Sequence, residues 1–209
     1  MDIGIIGSGR IGGTLARGLT AAGHDVVLAN SRGPESLAGD VLELHGRGRA
    51  GTAADAAAAR DVVVVSVPLH AIDALPDPAL FDGKVVVDTN NYYAGRDGQI
   101  AALDDDSTTS SELLADRLPG ARVVKAFNTI RSDHLRELGR TDLPADDRRA
   151  IPIAGDDADA KAVVAGLIDD LGFTAVDHGD GLSAGREQQP GSDVYGAELS
   201  ARDARAALA

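Results

Sequence analysis

The chain has no cysteine and no tryptophan, and only three of its 20 basic residues are lysines. Without cysteine there can be no disulfide, thiolate nucleophile, Cys-ligated zinc or iron–sulfur cluster. Aromatic residues make up 3% of the sequence. That disfavours base-stacking nucleic-acid modules and leaves the core to Val, Leu, Ile and Ala. Positive charge is also scarce: 33 acids stand against 20 bases, for a net charge of −13. Such a chain repels phosphate-rich partners, so no nucleic-acid or membrane partner is expected. No apolar run reaches the roughly 18 residues of a membrane span. Met1-Asp2-Ile3-Gly4 lacks the basic start of a signal peptide. The expectation is a cytoplasmic protein, a homodimer, acting on a small molecule.

What is present is enough for a sizeable core, since 44% of the residues are hydrophobic and 25% charged. Short apolar runs at Ile3 to Ile6, Val26 to Ala29, Val62 to Val67, Val85 to Asp88 and Val123 to Phe127 read as buried strands. Ile151 to Ala154 and Thr174 to Asp177 read the same way, and a third strand near His45 to Thr52 is short. Helical spacing separates them, at Thr14 to Ala22, from Pro34 through Leu44, and at Ala53 to Ala59, Ser111 to Leu118, Ser132 to Leu138, Asp157 to Leu171 and Ser200 to Leu208. Asn90 to Asp106 reads as a polar surface segment. Alternating strands and helices predict an α/β fold with a doubly wound parallel sheet of the Rossmann dinucleotide-binding type. We divide the chain into a dinucleotide-binding domain, residues 1–127, and a small C-terminal lobe, residues 128–209, that completes an acceptor pocket.

Gly7-Ser8-Gly9-Arg10-Ile11-Gly12 is a Gly-x-Gly-x-x-Gly turn between a strand and a helix. The glycines allow a tight turn, close approach of backbone to pyrophosphate, and close packing of helix on sheet, with the positive end of the helix facing the phosphates. After the second strand an NAD site usually carries an acid that accepts a bond from the ribose 2′-hydroxyl. Here the residues are Asn30-Ser31-Arg32-Gly33-Pro34, with no acid before Glu35. Arg32 can clamp a 2′-phosphate and Ser31 can donate to it, which points to NADP(H). The alternative is a solvated arginine in a turn.

Together with Val64-Val65-Ser66-Val67-Pro68, Asp88-Thr89-Asn90 and Val124-Lys125-Ala126-Phe127-Asn128-Thr129, these motifs resemble one family. It comprises the NADP-dependent oxidoreductases of the deazaflavin coenzyme F420 and their bacterial relatives; ferric-reductase domains of membrane metalloreductases are similar. The resemblance implies that Ser8, Arg10 and Ile11 lie at the pyrophosphate and Ser31 and Arg32 at the 2′-phosphate. It implies that Val67, Pro68 and His70 lie beside the nicotinamide ribose, with Asn90 at the end of the fifth strand. Asn128 and Thr129 would line the pocket shared by nicotinamide and acceptor, with coenzyme F420 as co-substrate. A lone histidine such as His70 also fits a surface or packing role.

No acid–base pair, Tyr-x-x-x-Lys motif or metal-ligand spacing is evident. Hydride transfer between two cofactors needs none, because the cofactors carry the chemistry. Lys125 is open to two readings, a charge partner for an anionic reduced deazaflavin or a strand-end lysine facing solvent. Tyr92-Tyr93 could cover an acceptor ring or simply pack. The polar stretch from Gly185 to Gly191, within a glycine-rich connection from Gly179 to Gly196, is placed where an acceptor lid could be. Other acceptors (a flavin, an imine, ferric iron) and a non-catalytic NADP-binding sensor remain open.

Overall fold

The computed structural model describes residues 1–179 and 181–208. Its main sheet is parallel throughout, in the order β3-β2-β1-β4-β5-β6. The strands are β1 (Asp2–Ile6), β2 (Asp25–Ala29), β3 (Gly48–Ala50), β4 (Val62–Val65), β5 (Val85–Asp88) and β6 (Arg122–Lys125). In register, Ile6 pairs with Ala29 on one side and with Val65 on the other. The chain order reverses between β1 and β4, and in such sheets the crevice at that point, beyond the carboxyl ends of the strands, is where ligands bind. All four residues of β4 are buried, as a parallel strand covered on both faces requires.

Helices α1 (Arg10–Ala21), α2 (Ala38–Leu42), α3 (Ala53–Ala57), α4 (Ala94–Asp97), α5 (Ala101–Asp104) and α6 (Ser110–Arg117) belong to the first half. α7 (Ser132–Glu137), which packs on α1, α8 (Ala158–Asp170) and α9 (Ala201–Ala207) follow. One core layer gathers Ile3, Ile5, Leu15, Leu19, Val62 and Val64, and extends to Val164 and Ile168 of α8. The opposite layer holds Ile6, Val63, Val65, Phe81, Val86 and Leu114. Two further strands, β7 (Ala150–Ile153) and β8 (Thr174–Asp177), form a separate parallel pair. Backbone bonds between Lys125 and Ala154, 2.8 and 3.2 Å long, join β6 to the residue following β7.

The structure modifies several expectations. The helix expected from Pro34 through Leu44 splits into a 3-10 turn, Pro34–Leu37, and the short α2. The strand expected to reach Val67 ends at Val65, and Pro68 instead opens a 3-10 turn, Leu69–Ala74. Asn90 to Asp106 is not simply surface, because it carries α4 and α5 and buries Leu103 and the Asp97 carboxylate. Within the glycine-rich connection, whose Asp180 lies outside the described residues, Leu182–Gln188 is a 3-10 helix. Leu182, Gly185 and Gln188 are buried in it. A Cβ on Gly185 would stand 2.8 Å from Lys125 Cδ. This stretch is packed into the fold and is not a free lid.

A full capping box opens α6: Thr109 accepts the Glu112 N–H, and Glu112 accepts the Thr109 N–H at 2.8 Å.

Candidate dinucleotide and acceptor site

A cleft of about 970 Å³ opens over the carboxyl ends of β1, β4, β5 and β6. That volume is near the top of the range for small-molecule sites. Of the sequence-predicted residues, Gly9, Arg10, Ile11, Val67, Pro68, Asn90, Asn128 and Thr129 line it. Gly7, Ser8, Asn30, Ser31 and Arg32 lie in the turns beside it, Gly12 lies in the first turn of α1, and His70 does not line it.

The three glycines of the turn have separate physical reasons. Gly7 has φ of +113°, and a Cβ there would stand 2.0 Å from the Ser66 carbonyl oxygen. A Cβ on Gly12 would stand 1.9 Å from the Gly7 carbonyl oxygen, so this glycine lets α1 lie against the sheet. Gly9 differs: its φ of −69° suits any residue, and a Cβ there would meet nothing within 4 Å. Neither backbone angle nor packing therefore demands a glycine here, and what remains is open space in front of it. α1 begins at the next residue, with no side-chain cap and no acid in its first turn. Its leading N–H groups are unpaired donors aimed at that space, with the positive end of the helix dipole behind them. Open space bounded by backbone donors fits a pyrophosphate.

Asn30 ties two loops together. Its Nδ2 donates to Ser8 Oγ at 3.3 Å and Ser36 Oγ at 2.9 Å, and its Oδ1 accepts the Arg32 N–H at 2.9 Å. The phosphate turn and the turn after β2 are thereby held as one unit. Among the described residues neither the Arg10 nor the Arg32 guanidinium has a hydrogen-bond or ion-pair partner, so both are free for an anionic ligand. The residue set fits NADP(H).

The floor of the cleft rests on a buried polar network. Asp88 and Lys125 face each other across β5 and β6, with Nζ 3.6 Å from Oδ2, and neither side chain reaches solvent. Lys125 also donates to Ser110 and Ser111 Oγ, each at 3.0 Å, and to the Asn90 carbonyl at 3.1 Å. Asp88 accepts the Asn90 N–H at 2.8 Å and the Ser111 hydroxyl at 2.5 Å. The ion pair thus grips Asn90 by both backbone groups. Burial pushes the Lys125 ammonium down from its ordinary value, and Asp88 opposes that shift. Both sequence readings of Lys125 are corrected, since it neither faces solvent nor stands free to meet a ligand.

Asn128 follows Phe127, a buried non-glycine residue at φ of +60°. Such conformations persist only where the surroundings hold them, and they cluster at functional sites. Asn128 Nδ2 supplies part of that hold, donating to Asn91 Oδ1 at 3.0 Å and to the Gln188 carbonyl at 2.5 Å.

The rim contains residues that the sequence did not single out. Tyr195 hydrogen-bonds through its hydroxyl to Tyr93, and both line the cleft. Burial, reinforced by that bond, raises the Tyr195 phenol above its ordinary value. Arg96 lies 4.9 Å over the Tyr93 ring and donates to Asp97 at 2.8 and 3.0 Å. Burial works to raise the Asp97 carboxyl, but bonds from Arg96, the Tyr93 N–H and His70 outweigh it and hold it well below the carboxylate range. His70 is engaged here, its Nδ1 3.0 Å from Asp97 Oδ1. Tyr92 packs away from the cleft and bonds Asp104 at 2.7 Å. Arg131 and Arg136 on the α7 side also reach the cleft. The available signal for Tyr195 was rarity, as it is one of three tyrosines.

A parallel six-stranded sheet with this turn at its reversal point defines a Rossmann-type dinucleotide-binding protein. A family model described as "NADP oxidoreductase coenzyme F420-dependent" matches residues 2–92. The F420-dependent NADP reductase of Methanothermobacter thermautotrophicus is 33% identical over 196 residues, covering 86% of this chain and 81% of that protein. The chain belongs to the coenzyme F420-dependent NADP oxidoreductase family. It is also 32% identical over 186 residues to the metalloreductase STEAP3 of Rattus norvegicus, covering 88% of this chain but only 35% of that protein. Among solved structures, a hypothetical protein from Sinorhizobium meliloti superposes with a TM-score of 0.81 at 34% identity, covering 96% of each chain. A reductive aminase from Aspergillus terreus, at 19% identity and TM-score 0.58, covers 99% of this chain and 59% of that one and shares the fold. Among the described residues no helix is long and apolar enough to cross a membrane.

Proposed function

We propose that this chain transfers a hydride between NADP(H) and a planar redox ring, with the deazaflavin coenzyme F420 as the acceptor. The observation that carries the reading is the open space at Gly9, facing the unpaired start of α1, with the unpartnered Arg10 lining the cleft and the unpartnered Arg32 in the neighbouring turn that Asn30 ties to Ser8. When bound, NADPH supplies the hydride from its nicotinamide. The protein's part is to hold the ring against the acceptor and keep water out. In this reading Ser8 and the backbone of Gly9, Arg10 and Ile11 hold the pyrophosphate, and Ser31 and Arg32 take the 2′-phosphate. Val67 and Pro68 wall the ribose, and Asn90, Asn128 and Thr129 border the two rings. Residues after Phe127 close the acceptor side. The choice of coenzyme F420 is supported by the Methanothermobacter relative, similar over most of both chains, and by the cleft's volume of about 970 Å³.

Cofactor preference tests the nucleotide half of the proposal. An arginine–phosphate contact contributes roughly 1.5–3 kcal/mol. NADPH is therefore expected to bind at least about tenfold tighter than NADH, and Arg32→Ala to remove most of that difference while leaving NADH affinity unchanged. Calorimetric titration of both nucleotides into both proteins decides it. Equal wild-type affinities would refute the NADP assignment.

A further inference from the structure

Two buried amide atoms on the cleft floor lack partners, and they have opposite hydrogen-bonding character. Asn90 is 2% exposed, and its Oδ1 accepts the Val67 N–H at 3.2 Å. That bond fixes which end of the amide is which, and Nδ2, a donor, is left with no partner. Asn128 is 5% exposed, and the two bonds from its Nδ2 fix its orientation in the same way. Its Oδ1, an acceptor, is left with no partner. Both residues line the cleft, just beyond the ends of the neighbouring strands β5 and β6.

Buried polar groups are nearly always paired, so each orphan needs an explanation. Misplacement does not supply one, because both residues are firmly held. The Asp88–Lys125 pair clamps the Asn90 backbone, and Asn128 is gripped through its amide nitrogen after the left-handed Phe127. A phosphate or carboxylate would satisfy only the donor. A group offering C=O and N–H side by side would satisfy both.

We infer that Asn90 and Asn128 form a donor–acceptor pair that reads the edge of a planar amide, its carbonyl taking the Asn90 Nδ2 hydrogen and its N–H meeting Asn128 Oδ1. The inference rests on the proposed NADP-dependent hydride transfer and deepens it. Two groups in that reaction carry such an edge: the carboxamide of nicotinamide, and the imide edge of a deazaflavin or flavin ring.

The test is equilibrium binding by calorimetry, with melting curves to confirm folding. The probes are NADP+, its acetylpyridine analogue (a methyl replaces the amide NH2), 2′-phospho-ADP-ribose (no nicotinamide), and the deazaflavin added to the NADP+ complex. The variants are Asn128→Ala and Asn90→Asp; the second keeps the shape and the bond from Val67 but removes the donor. If the nicotinamide carboxamide is read, wild type binds NADP+ about fivefold to tenfold tighter than the acetylpyridine analogue, the effect of one net hydrogen bond. Asn128→Ala erases that ratio, Asn90→Asp weakens both nucleotides, and 2′-phospho-ADP-ribose binds all three proteins alike. If the acceptor ring is read, the two nucleotides bind equally everywhere and deazaflavin affinity falls about tenfold in both variants. Variants that leave every affinity unchanged would overturn the inference. So would variants that weaken 2′-phospho-ADP-ribose as much as NADP+, since that marks a structural effect. Wild type that binds neither NADP+ nor 2′-phospho-ADP-ribose would overturn the proposed function, and this inference with it.

Discussion

Gly9→Ala is expected to abolish NADP(H) binding in a protein that remains folded. The added methyl meets no protein atom within 4 Å, and the backbone angle at this position is open to alanine. Alanine is a poorer N-cap than glycine, but it also lowers the entropy of the unfolded chain, so the two effects on stability largely offset each other. A shift in the thermal midpoint of no more than about 4 °C is expected for a chain of this size. The same methyl projects into the space assigned to the pyrophosphate, at the closest approach of backbone to ligand. Gly7→Ala and Gly12→Ala provide the contrast. Their methyls would stand 2.0 and 1.9 Å from backbone carbonyl oxygens, so these variants should lose the fold itself. Circular dichroism and a nucleotide titration on the three variants separate the roles. Gly9→Ala protein that binds NADPH normally would show that the open space is not the phosphate site.

Lys125→Met is expected to destabilise the protein by about 3–5 kcal/mol, the usual cost of leaving one member of a buried ion pair uncompensated. Asp88 would keep its bonds from Ser111 and the Asn90 N–H but lose its countercharge. The double variant Lys125→Met with Asp88→Asn removes both charges, and it should recover more than half of the loss. Urea unfolding of the two single variants and the double variant measures the coupling directly. A Lys125→Met protein as stable as wild type would contradict the placement of this lysine beneath the cleft.

Most of the nucleotide half was legible in the sequence because its determinants are local. A turn of six residues, a short apolar strand before it and helical spacing after it determine one another. The missing acid after β2 is a statement about adjacent residues. The cleft floor and rim were less legible because their determinants are distant in the chain. Lys125 looks like a strand-end lysine until β5, α6 and the segment Leu182–Gln188 cover it. Asp97 looks like one polar residue among many until His70, Tyr93 and Arg96 converge on it. Tyr195 reaches Tyr93 across 102 residues, a pairing that no periodicity announces. The stretch around Gly185 misled because its glycine and polar content suggested an exposed loop. The glycine is there because a side chain would collide with Lys125.

The central claim is that this cleft transfers a hydride from NADPH to a planar deazaflavin, and one measurement addresses it most directly. Wild-type protein is mixed with NADPH and coenzyme F420, and loss of the nicotinamide absorbance band is followed alongside bleaching of the deazaflavin, with free flavins as control acceptors. The account predicts that the two signals fall together, mole for mole, faster with the deazaflavin than with any free flavin, and that Gly9→Ala abolishes both changes. Tight NADPH binding with no oxidation by any planar acceptor, from acid to alkaline pH, would contradict it and leave a protein that senses NADP(H) without turning it over.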